Sequence, residues 1–126
     1  MFDLTINGEV YQFNFGMGFL REIDKKVSAI VDGATGVKQD MGLRYAVAGV
    51  IDGDPKAVVD VLELANKGQT PRLTKAALDA FVEDENTDID ALFEDVKGFL
   101  SKANVTKKVT LELLERAEAE REKAGL

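Results

Sequence analysis

The chain has no cysteine and no histidine, and those two absences remove most enzyme chemistry at once. Without them there is no disulfide, no thiolate nucleophile, no zinc site of the usual kind, and no triad or dyad that depends on imidazole. Serine occurs only at Ser28 and Ser101, with no base-like residue near in sequence to activate either. No apolar run approaches the roughly 18 residues needed to cross a bilayer. The opening residues, MFDLTINGEV, lack a basic region and a continuous apolar stretch, so they do not read as a signal peptide and point to a cytoplasm. Positive charge is also scarce: 16 basic residues stand against 23 acidic ones, a net charge of −7. A surface of that sign repels phosphate backbones and argues against a nucleic-acid partner.

What is present fits one domain. The chain has 126 residues, 45% of them hydrophobic, enough for a real core. Its first two dozen residues organise the rest. Two short alternating segments flank Asn7-Gly8, the sequence signature of a type I′ hairpin, because both central positions need positive φ. Pairing Ile6 with Glu9 sets Leu4 against Tyr11 and Phe2 against Phe13. Phe2, Leu4, Ile6, Tyr11, Phe13 and Phe15 then share one face, with Asp3, Thr5, Val10, Gln12 and Asn14 on the other. A lone hairpin is marginal in water, so the aromatic face must lie on helices.

Downstream, apolar spacing of three and four predicts helices. Met17, Leu20, Ile23, Val27, Ile30 and Val31 define the first, and Asp32-Gly33 and Thr35-Gly36 mark a loop. The second runs from about Asp40 to Ile51. Its apolar residues surround the axis, which makes it the central helix, and Gly42 and Gly49 suggest close approach to a neighbour. Asp54 and Pro55 cap and start a third helix with Ala57, Val58, Val61, Leu62 and Ala65 on its buried face. Thr74 caps a fourth, with Leu73 and Leu78 as a hydrophobic staple. Thr87 or Asp88 opens a fifth along Ile89, Leu92, Phe93, Val96, Phe99, Leu100 and Ala103. A sixth starts near Thr106, and its last ten or so residues are helical when supported and frayed when not. The expected fold is α+β: an N-terminal β-hairpin packed on a bundle of about five to six α-helices, in a single domain over residues 1–126.

Two constellations invite chemistry. Asp84, Asn86, Asp88 and Asp95 have partial calcium-loop spacing, but Ile89 stands where the loop needs glycine and Asp95 where it needs glutamate. Asp88 and Asp90 suit a helix amino terminus instead. Neither Gly16/Gly18 nor Gly33/Gly36 is followed by the Lys-Ser/Thr of a phosphate loop. The reading is no catalytic residue, no metal and no cofactor. The last helix says more. Val105, Val109, Leu113 and Ala117 share one face while Leu111 and Leu114 extend well beyond it. Two explanations stand: a helix wedged between two neighbours, or a surface for a partner helix or a second copy of the chain. Residue chemistry alone gives a small binding module and leaves its partner open.

The hairpin with FGMGFLREIDKK (Phe15–Lys26), then GLRYAVAGVIDGDPKAVVDVLELA (Gly42–Ala65) and DIDALFEDVKGFLSKA (Asp88–Ala103), resembles the tail assembly chaperones of long, non-contractile-tailed phages and prophages. The resemblance implies a non-enzymatic role: binding the tape measure protein, keeping it soluble, and helping tail tube subunits assemble around it. It implies a tail tube contact through a longer, frameshifted product, action in the host cytoplasm, and absence from the mature virion. The expected contact residues are Phe99, Leu111 and Leu114. The competing expectation is a structural tail or head–tail connector protein that stays in the virion.

Overall fold

The computed structural model describes residues 1–30 and 41–125. Strands β1 (Phe2–Ile6) and β2 (Glu9–Phe13) form a two-stranded antiparallel sheet. Its register is the expected one, with Phe2 opposite Phe13, Leu4 opposite Tyr11 and Ile6 opposite Glu9. Asn7 (φ 53°) and Gly8 (φ 81°) both take the left-handed conformation that the turn requires. Ile6, Phe13 and Phe15 are buried, and Phe2, Leu4 and Tyr11 pack at the margin of the same core. Val10, on the other face, is half exposed.

Six helices follow among the described residues: α1 (Met17–Ile30), α2 (Gly42–Ile51), α3 (Pro55–Asn66), α4 (Lys75–Glu83), α5 (Ile89–Lys102) and α6 (Lys107–Ala124). The fold is thus α+β, a hairpin on a helical bundle. The caps are those that side-chain chemistry dictates. Asp54 accepts from the Lys56 N–H at 2.9 Å, Thr74 from Ala77 at 3.1 Å, and Asp88 from Ala91 at 3.0 Å. Leu73 and Leu78 are both fully buried at the start of α4.

Helix α2 is the hub, packed against α1, α3, α5 and α6. Gly42, Leu43, Ala46, Val47 and Val50 are its buried residues, while Tyr45 turns to solvent and is 49% exposed. Gly42 permits the crossing with α1, because a Cβ there would overlap the backbone of Asp24. Asp24 itself crosses over to accept the Leu43 N–H at 3.0 Å, satisfying one open donor at the start of α2. On α1 the buried face differs from the sequence reading. Phe19 and Ile23 are buried, whereas Met17 is 50% exposed. The spacing Phe15–Phe19–Ile23 carries the face, and Met17 is the first residue of the helix. The side chains of Val27 and Ile30, residue Val31, the loop around Gly33 and Gly36, and Asp40 lie outside the described residues.

The hairpin is locked to the helices by two polar contacts and a ring cluster. The Asn14 N–H donates to the Ala65 carbonyl at 2.8 Å. Asn66, fully buried at the end of α3, donates from Nδ2 to the carbonyls of Gln12 (3.0 Å) and Pro71 (3.2 Å). Its Oδ1 accepts from Arg72 and from the Leu73 N–H, so the amide is saturated. One side chain thereby joins β2, α3 and the turn into α4.

Candidate partner-binding site

Helix α6 lies between α2 and α5, the wedged position. Its innermost residues are Thr106, in the turn before it, and Thr110, both fully buried, and not leucines. Burial of a hydroxyl costs little when it has a partner. Here Thr106 Oγ1 donates to the Leu100 carbonyl at 2.6 Å and Thr110 Oγ1 to the Thr106 carbonyl at 2.8 Å. Val109 and Leu113 flank that line and pack against the buried core. The sequence reading placed the centre of the buried face on Val105, Val109, Leu113 and Ala117, and these four are half-buried. The threonines were missed because a hydroxyl reads as polar. Their spacing of four was the available signal.

With the axis fixed by Thr106 and Thr110, the two outlying leucines turn outward. At about 100° per residue, Leu114 lies at the edge of the packed face and Leu111 near the far side. The burial agrees: Leu111 is 53% exposed, Leu114 is half-buried, and neither packs against the buried core among the described residues. Lys107, Lys108, Glu115 and Glu118 surround them and are exposed, so the surface is an apolar patch with a charged rim. The third candidate, Phe99, is partly buried on α5. Its ring sits 5.0 Å from that of Phe2 and 6.2 Å from that of Phe15, and it packs against the core.

The back of α6 is held electrostatically as well. Arg44 Nη2 on α2 donates to Glu112 Oε2 at 3.1 Å, and Arg116 approaches Glu112 Oε1 at 2.9 Å. The hydrogen bond from Arg44 and its charge hold the Glu112 carboxyl below its ordinary range, against the desolvation that would raise it.

Two residues of the acidic run over 84–95 serve local backbone structure. Asp84 accepts from the Asn86 N–H at 2.9 Å, and Asp88 caps α5. Among the described residues, no group of three or more acidic side chains could hold a metal ion. A shallow cleft of about 220 Å³ opens between the hairpin and the α5–α6 turn, lined by Phe2, Phe13, Phe15, Asn104 and Val105 among others. No acidic or basic side chain lines it. A second cleft holds Glu22 and Lys67, which neutralise each other at 3.3 Å. No described helix is long and apolar enough to cross a membrane.

A family model described as "Phage tail assembly chaperone protein, TAC" matches residues 3–114, from the first strand to the second outward leucine. No curated protein and no solved structure matches the chain.

Proposed function

This chain belongs to the phage tail assembly chaperone family, and from that premise we propose that it masks an amphipathic helical segment of the tape measure protein. Masking keeps that protein soluble until tail tube subunits cover it, and the chaperone, through a longer frameshifted product, helps recruit those subunits. The work is done in the host cytoplasm, and the chaperone leaves before the virion is complete. Long amphipathic helices aggregate when uncovered, and an apolar face offered by another chain prevents this without any covalent step.

The observation that carries the reading is the position of Leu111 and Leu114. They form an apolar patch on a helix whose attachment does not depend on them, inside a charged rim, which is the arrangement a helix-in-groove contact uses. Phe99 belongs to the proposal as the residue that fixes the hairpin against α5, beside the docking helix. The net charge of −7 favours partner segments with basic flanks and keeps the loaded complex soluble.

The test is co-expression with a tape measure protein. Leu111→Asp with Leu114→Asp should leave the helical circular dichroism and melting temperature nearly unchanged while the tape measure protein moves to the insoluble fraction. Full solubilisation by the folded double variant would remove α6 as the docking site. Finding the chain in purified virions would favour a retained structural protein over a chaperone.

A further inference from the structure

The two long edges of the hairpin are treated differently by the rest of the molecule. A two-residue turn makes Ile6 and Glu9 a pair that exchanges both ladder bonds. The alternation then makes Leu4/Tyr11 and Phe2/Phe13 bonded pairs too, and the residues between them aim their backbone groups outward. At the end of β2 away from the turn, outward groups are used. The Gln12 carbonyl accepts from Asn66 at 3.0 Å, and one step of the alternation on, the Asn14 N–H is taken by Ala65 at 2.8 Å. On β1 they belong to Asp3 and Thr5, which are exposed and whose backbone groups have no such partner among the described residues. The strand has little edge protection: FDLTI has no proline, no lysine and no bulge, and its one charged residue is Asp3.

We propose that β1 is a pairing edge for a second copy of this chain, the two β1 strands joining antiparallel about a two-fold axis at Leu4 into a four-stranded sheet. The register follows from the chemistry of the strand. With Asp3 opposite Thr5 of the second copy, and Thr5 opposite its Asp3, the outward N–H and C=O groups of both residues close four backbone hydrogen bonds. Leu4 meets its counterpart in the close, non-bonded pair between them, extending the apolar face on which Phe2 and Leu4 are only half covered. A one-residue slip turns that face to solvent. A slip that centres the axis on Asp3 sets two carboxylates against each other. Centred on Thr5, Asp3 would run against the turn residue Asn7 and only one bonded pair would remain, so the Leu4 register alone bonds both outward residues of each copy and keeps the acids apart, which is the argument for a second copy as occupant. The contact is small, and each chain carries −7, so association is weak and tightens with added salt. It is independent of the docking assigned to α6.

Sedimentation equilibrium on the full chain from about 10 μM to about 1 mM, with amide exchange on the same samples, tests it. The expected result is a reversible dimer in which the Asp3 and Thr5 amides slow as concentration rises. Because Thr5 faces Asp3 twice in the dimer, Thr5→Lys should tighten association about five-fold and Thr5→Asp loosen it by a similar factor. Thr5→Pro removes an outward N–H that β2 does not use and should abolish pairing. Circular dichroism checks each fold, and the Lys/Asp contrast stands if the proline variant fails to fold. A monomer throughout the range overturns the inference. So does a dimer indifferent to all three substitutions, or protection of the two amides only when an extended segment of another protein is added.

Discussion

Arg44 and Glu112, 68 residues apart in sequence, meet at 3.1 Å and tie the central helix to the last one. The contact holds the Glu112 carboxyl below its ordinary value of 4.5, chiefly through the hydrogen bond from Arg44. A carboxyl depressed in the folded state contributes stability above its unfolded pKa and loses it as pH falls through the folded one. Wild-type stability should therefore decline on acidification below the ordinary glutamate range. Glu112→Gln should be less stable than wild type at neutral pH, with the two converging in acid. Urea unfolding followed across that pH span gives both curves.

Asn66 is the buried polar group with most to lose. Asn66→Ala strands the Gln12 and Pro71 carbonyls and the Leu73 N–H, each of which it now satisfies. An unsatisfied buried group costs about 1–3 kcal/mol, so a loss of about 3 kcal/mol is expected after partial rehydration. Urea denaturation should show the midpoint falling at unchanged slope. A loss below about 0.5 kcal/mol, the level of an ordinary surface change, would mean that water replaces the side chain.

Two helical glycines should respond oppositely to alanine. At Gly98, on α5, an added Cβ meets nothing within 4 Å, so Gly98→Ala should stabilise by up to about 1 kcal/mol through helix propensity. At Gly42 the same gain is overruled by the overlap with Asp24, and overpacking of this kind costs about 1–3 kcal/mol. Thermal melts of the two variants should move in opposite directions.

Phe99 and Leu111 differ in what they hold. Phe99→Ala removes the ring that packs at a tilt against Phe2 and Phe15 and should cost about 3 kcal/mol, at the lower end for a buried phenylalanine because the ring is only partly covered. Leu111→Ala, at a side chain 53% exposed, should stay within about 0.5 kcal/mol. Equilibrium unfolding of both variants measures what each side chain contributes to packing, and of these two only the Leu111 variant leaves the scaffold intact enough for the binding test proposed above.

Local signals were legible where one residue type decides the matter. Asn7-Gly8 set the turn and, through it, the register of the whole hairpin. Asp54, Thr74 and Asp88 marked three helix starts, and Gly42 announced a close crossing. What escaped was burial of polar side chains. Asn66, Thr106 and Thr110 look like surface residues in any hydropathy pattern, and their burial depends on acceptors brought from Gln12, Leu100 and the helix itself. Met17 and Phe19 show the converse. Spacing alone could not say which of two neighbouring apolar residues would face the hairpin, because that depends on how α1 leaves Phe15. Leu111 and Leu114 were legible as a pair outside the main stripe. That Phe99 joins a ring cluster with Phe2 and Phe15 needed the hairpin in place.

The threonine anchoring of α6 has one more consequence. Since Thr106 holds the Leu100 carbonyl on α5 and Thr110 is satisfied by the first carbonyl of its own helix, α6 is seated without help from Leu111, which is 53% exposed and does not pack against the buried core. The residue at Leu111 can be exchanged without disturbing the scaffold, so under the docking role proposed above a change of client asks for new side chains on the outer face of α6 and no change in the core.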